Sequence, residues 1–139
     1  MQLVRSYPPN FDLIASAFDV KGKPVLFAWG DIIYAPSGVS TVSPQLYAHE
    51  EVHARRQKEY ETPAGWWRRY IVDPEFRLEE ERLAHIAEYQ WLMDNATSRN
   101  ERRQALSRVA ERFAAPLYRY GLSKDDARRM LENGYRSGS

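Results

Sequence analysis

His49, Glu50 and His53 stand in the run His49-Glu50-Glu51-Val52-His53, two imidazoles four residues apart with a carboxylate beside the first. On a helix, residues four apart share a face, so both rings can reach one cation, at Zn–N distances of about 2.0–2.1 Å. Glu50 then lies next to the pair without being a ligand, within reach of a water on that ion. This is the H-E-x-x-H pattern, and its chemistry is zinc-assisted hydrolysis with Glu50 as general base. The chain has only three histidines in 139 residues, so a chance match is rare. The plain alternative is two histidines that merely share a helix. With no cysteine present, disulfides, thiol catalysis and thiolate metal sites are excluded, and any metal ligand must be His, Asp or Glu.

A catalytic zinc site takes three protein ligands and keeps one position open. His85 and the carboxylates of Glu79, Glu80, Glu81 and Glu88 are the available third donors. Periodicity places Glu80 near the stripe Phe76, Leu83, Ala87 and Trp91, whereas Glu81 shares a face with Ala84, His85 and Glu88. Spacing alone leaves the choice open. A run of acids near a helix start also has an ordinary role, complementing the positive end of the helix dipole.

These side chains need elements to carry them. Ser43-Pro44, Asp73-Pro74 and Ser98 with Glu101 are helix starts, each pairing a capping residue with a fitting neighbour. They predict helices over about 44 to 60, 74 to 94 and 98 to 119, with a shorter one after Ser123. A helical turn or two is expected at 66 to 71, and a short helix over 10 to 18 from the spacing of Phe11, Ile14 and Phe18. The apolar run 24 to 29 and Ile32-Ile33-Tyr34 read as strands, stopped by Pro36-Ser37-Gly38. Only Ser137-Gly138-Ser139 reads as a loose end. Trp29, Trp66 and Trp67 are candidates to line a substrate pocket, though aromatics at such places are more often core.

Hydrophobic residues make up 43% and charged residues 28% of the chain, which argues against wholesale disorder and, at this length, for a single domain over 1 to 139. No apolar run approaches the roughly 20 residues of a membrane-spanning helix, and no secretory signal is visible at the start. A cytoplasmic or assembly-associated location follows. The net charge of +1 hides an asymmetry: residues 1 to 96 carry 10 basic and 14 acidic groups, and residues 97 to 139 carry 10 and 5. The basic C-terminal part reads as a solvated helical face, with contact to nucleic acid as the competing reading.

His49-Glu50-x-x-His53 followed on a later helix by Glu81-x-x-Ala84 resembles the gluzincin arrangement, in which two helices supply His, His and Glu. Gly30-Asp31-Ile32-Ile33-Tyr34, the first motif with Gln57, and Phe76-Arg77 ahead of Glu81 are similar to small single-domain metallopeptidases called minigluzincins, phage-associated ones included. The resemblance covers about residues 25 to 92, and the chain departs from the wider pattern in carrying His85 where an acid often follows the alanine. It implies an α+β zincin-like domain, with a small twisted antiparallel sheet packed on the His49–His53 helix and the Glu81 helix. It further implies one Zn2+ held by His49, His53 and Glu81, and hydrolysis of a peptide or protein substrate by a zinc-bound water with Glu50 as base. An exposed strand at 25 to 28 or 31 to 34 would pair with the substrate. Tyr34, Tyr47 or His85 would meet the oxyanion, and further carboxylates would orient the imidazoles. Two other readings compete: a phage or assembly-related binding protein with a structural or vestigial metal site, and a zinc amidase acting on a cell-wall amide. An intact Glu50 speaks against a vestigial site.

Overall fold

The computed structural model describes residues 1–36 and 41–136, so Ser37, Gly38 and the expected loose end at Ser137-Gly138-Ser139 lie outside the described residues. In chain order the elements are β1 (Gln2–Val4), α1 (Phe11–Ala17), β2 (Phe27–Trp29), β3 (Ile32–Tyr34), α2 (Pro44–Gln57), α3 (Pro63–Val72), α4 (Pro74–Asn95), α5 (Arg99–Phe113) and α6 (Lys124–Arg136). A 3₁₀ turn, Pro116–Tyr118, joins the last two helices. The protein is therefore α+β, as the sequence implies.

The sheet is mixed, where a wholly antiparallel one was expected. β2 and β3 form an antiparallel hairpin with Trp29 opposite Ile32, and β1 adds parallel to the far side of β3, Leu3 opposite Ile33. Gly30, at φ +59°, takes the positive φ that the first residue of a two-residue hairpin turn requires. The crossover through α1 brings β1 alongside β3 in the same direction, so β3 is the central strand and 31 to 34 is no edge. β2 is the edge on the other side. Much of it is already used: Pro24 has no N–H, Val25 N donates to Lys23 O (2.8 Å), and Ala28 O accepts from both Gln57 and Trp67.

Helix ends follow local chemistry. Asp73 Oδ1 accepts from the N–H groups of Glu75 (3.1 Å) and Phe76 (3.2 Å), closing the first turn of α4. Ser98 Oγ does the same for Glu101 (3.1 Å), whose carboxylate reaches back to Thr97 N (2.8 Å). Ser43 precedes α2 without a side-chain cap. α2 ends at Gln57 rather than near 60, and α5 ends at Phe113 rather than near 119. Pro116 accounts for the latter, because a proline drives the residue before it out of helical geometry, and Ala115 is extended at ψ 142°.

Two apolar clusters are joined by α4. Ile14, Phe18, Phe27, Trp66, Trp67, Tyr70 and Phe76 form one, and Ile86, Tyr89, Val109, Phe113 and Leu131 the other. Trp66 and Trp67 are core residues, as expected. The basic C-terminal part thus packs through α5 and α6 onto the helix that carries Glu81. Gly134 of α6 rests directly on Ile86: a Cβ there would lie 2.3 Å from Ile86 Cδ1 and 2.8 Å from Cγ1. Gly134→Ala is expected to cost about 1–3 kcal/mol by overpacking, measured by urea unfolding; a variant as stable as wild type would show that α6 is not seated this closely.

Candidate metal centre

α2 turns His49, His53 and Gln57 to one side, at successive intervals of four residues. Gln57, 2% exposed, fixes the register of that side against the sheet: its Oε1 accepts from Gly30 N (2.7 Å) and its Nε2 donates to Ala28 O (2.9 Å). Trp67 Nε1 donates to the same carbonyl (3.0 Å), tying α3 to the same strand. α4 lies along α2, with Ala84 completely buried and only its methyl there between the helices.

The acidic triplet of α4 divides three ways. Glu79 pairs with Arg82 (2.6 and 2.8 Å) at the surface. Glu80 turns to α2 and α3, accepting from Arg56 Nε and Trp66 Nε1, both at 2.7 Å. Glu81 faces the imidazoles: Oε1 lies 3.3 Å from His49 Nε2, and Oε2 lies 3.1 Å from His53 Nε2 and accepts from Tyr70 Oη at 2.8 Å. Glu50 Oε2 is 3.5 Å from His49 Nε2. The four residues named from sequence and resemblance, His49, Glu50, His53 and Glu81, therefore meet in one place, each about 5–6% exposed.

Two further groups belong there. Glu88 Oε1 meets both His49 Nδ1 (3.0 Å) and His85 Nδ1 (3.1 Å), while its Oε2 accepts from Arg112 of α5. Glu88 is thus the carboxylate that orients the rings, a role the sequence left unassigned although its place two turns after Glu81 was readable. His85 Nε2 lies 3.5 Å from Glu81 Oε1.

Burial sets the electrostatics. It pushes the Glu50 carboxyl above its ordinary range, only partly offset by the two imidazoles. Burial acts the same way on Glu81 and Glu88, but His53 and His49 hold Glu81 well below the usual carboxylate range, and hydrogen bonds from His49 and His85 do so for Glu88. Burial lowers His49, yet hydrogen bonds to Glu81 and Glu88 outweigh it and raise the ring to about 10. His85, desolvated and facing His49, is lowered to about 4.

The cluster floors a cavity of about 310 Å³ whose walls include Trp66, Trp67 and Tyr70, and whose far side is the C-terminal part: Leu117, Tyr118 and Tyr120. No motif or spacing marks the residues after 97 as part of the site. They are held there by Arg77, 4% exposed, which donates to the carbonyls of Tyr118 (2.6 Å), Tyr70 (2.7 Å), Ile71 (3.2 Å) and Arg119 (3.3 Å). Tyr34 and Tyr47 do not line the cavity; Tyr34 packs on the first apolar cluster, and Tyr47 Oη binds the Met1 ammonium. Among the cavity tyrosines, Tyr70 donates to Glu81 and Tyr120 to Phe113 O (2.7 Å), whereas the Tyr118 hydroxyl has no hydrogen-bond partner among the described residues. Most of the basic face is solvent-exposed, with Arg99, Arg102, Arg103 and Arg108 all outward, but Arg112 serves Glu88. No helix among the described residues is long and apolar enough to cross a membrane. Comparison with models of protein families, with curated proteins and with solved structures finds no match in any of the three.

The imidazole environments predict how stability follows pH when a chelator is present. His85, held at about 4, takes up its proton only on unfolding between about 4 and 6.5, so stability falls as the pH drops through that window. His49 contributes fully below its unfolded value of 6.5 and loses that contribution as the pH rises toward about 10. Urea-unfolding free energy should therefore peak near pH 6.5, and fall further below about 4.5 as Glu81 and Glu88 protonate. A profile flat from pH 5 to 9 would contradict these ring environments.

Proposed function

We propose that the protein is a zinc-dependent hydrolase, a small gluzincin-like metallopeptidase that cleaves peptide bonds of a peptide or protein substrate. One observation carries the reading: His49 Nε2 and His53 Nε2 stand 3.3 and 3.1 Å from the two oxygens of Glu81, beside a buried Glu50 whose Oε2 lies 3.5 Å from His49 Nε2. Donors sharing a tetrahedral zinc at about 2.0–2.1 Å are separated by about 3.3 Å, so the residues fit the ion. His49, His53 and Glu81 would hold it. Zinc bound there supplies Lewis-acid chemistry, polarising a carbonyl and making water acidic.

The remaining work falls to the chain. Glu50 accepts the proton of the attacking water and passes it to the leaving amine; burial, by raising its carboxyl, suits it to hold that proton in between. Tyr70 fixes one oxygen of Glu81, and Glu88 with Arg112 fixes the ring of His49, so the donors do not reorient. The Tyr118 hydroxyl is the free donor in the cavity for the charge that develops on the carbonyl oxygen, with its backbone held by Arg77. The substrate lies in the cavity against 24 to 26, because the β2 edge has few main-chain groups left to pair. A binding protein with a structural metal is the second reading, and the grouping of His85 with His49 and Glu81 favours it, since a further protein donor would close the position a catalytic zinc keeps open.

Purified wild type is expected to contain about one zinc per chain, and His49→Ala to lose it. Glu50→Gln should keep the zinc and lose at least about 100-fold of hydrolysis, scored by mass spectrometry of a digested peptide library and, for the amidase alternative, of cell-wall fragments. Wild-type zinc with no cleavage in either assay selects the structural reading.

The two neighbouring acids make a sharper comparison. Glu81→Ala should strip the metal. Glu80→Ala should keep it while losing about 1–3 kcal/mol of stability from the unpaired Trp66 and Arg56 donors. Zinc titration with urea unfolding of both variants checks this, and the reverse pattern would move the ligand to Glu80.

A further inference from the structure

Resting on the metal-centre reading above, we infer that His85 is a fourth protein ligand, so that the ion is held by three imidazoles and one carboxylate. His85 lies one helical turn after Glu81 and on the same face of α4. Its Nε2 is 3.5 Å from Glu81 Oε1, the oxygen that His49 Nε2 approaches at 3.3 Å from the other helix. The donor atoms of His49, Glu81 and His85 all fall within 4.8 Å of one another.

The ring is prepared for this role in the same way as that of His49. A carboxylate oxygen only accepts, so the Nδ1 atoms that meet Glu88 Oε1 at 3.0 Å (His49) and 3.1 Å (His85) are the protonated ones. Both rings turn Nε2 toward Glu81 Oε1, at 3.3 Å (His49) and 3.5 Å (His85). His53 has no such partner; its Nδ1 is buried and unbonded. By the orienting criterion, His85 is better prepared as a ligand than His53 is. The ordinary alternative, a buried histidine packed on Phe113 with ring centroids 4.9 Å apart, explains the burial and the Nδ1 contact but not why Nε2 is turned to the carboxylate oxygen that His49 also approaches. A cation shared by these donors accounts for that convergence.

The consequence concerns the ion. Three imidazoles and a carboxylate fill a tetrahedral shell, so the position for water that the proposed hydrolysis needs would come from expansion to five, as in other catalytic zinc sites.

X-ray absorption at the zinc edge of the full chain loaded with Zn2+ tests the inference on wild type directly. Three imidazoles per zinc are expected; two would overturn it and leave the His49, His53 and Glu81 centre standing. Failure of wild type to bind zinc would overturn both readings. His85→Phe keeps an aromatic ring against Phe113, with folding followed by circular dichroism. It should show two imidazoles, an affinity lower by more than the about 10–100-fold of an outer-shell change, and, with Co2+, the stronger absorption of a four-coordinate ion. A folded His85→Phe with the wild-type zinc shell and cobalt spectrum would assign His85 to the outer shell and sink the inference.

Discussion

Three carboxylates and three imidazoles buried around one cavity are the constraint to which much of this small structure answers. A buried charge without partners is costly, so each group must be matched, and the matching fixes how helices lie. Glu81 is paired by the two rings of α2 and the Tyr70 hydroxyl of α3; Glu88 by His49, His85 and Arg112 of α5. Three helices, α2, α3 and α5, are thereby tied to the middle of α4. The apolar clusters at its two ends supply the burial, but the polar contacts decide which face of each helix turns inward.

Interactions one layer out keep this arrangement in register. Gln57 binds α2 to the hairpin at Gly30 and Ala28, and Glu80, immediately beside Glu81, binds α2 to α3 through Arg56 and Trp66. Neighbouring acids on one helix thus have different tasks, because adjacent positions point about 100° apart. Arg77 extends the scheme to the C-terminal part. Its planar fork of donors satisfies carbonyls from α3 and from the segment after α5, so the wall of the cavity opposite the histidines is set by one buried guanidinium. In the proposed reaction this is what brings Tyr118 to the carbonyl oxygen.

Much of the helical framework could be read from the sequence because helix starts and stops are local. Asp73-Pro74 and Ser98 with Glu101 act within four residues of themselves, and the hairpin at Gly30-Asp31 needs only a residue that accepts positive φ. β1 escaped notice because three residues carry no period, and its place beside β3 depends on a crossover that no local pattern specifies. The overlong reading of α5 shows a local signal missed, since Pro116 was there to end it.

The sequence by itself determined that His49 and His53 share a helix face with Glu50 beside them, because four residues make one turn wherever the helix lies. It also placed the candidate third ligands on α4. Only the tertiary structure turned Glu81 and not Glu80 toward the imidazoles, since their periodicities differ by one position and the answer depends on how α4 is rotated against α2 and α3. The same holds for Glu88, His85, Arg77 and Tyr118. Their partners lie on other elements, up to 42 residues away in the case of Arg77 and Arg119, and contacts over such separations are fixed by packing, which spacing along the chain does not encode.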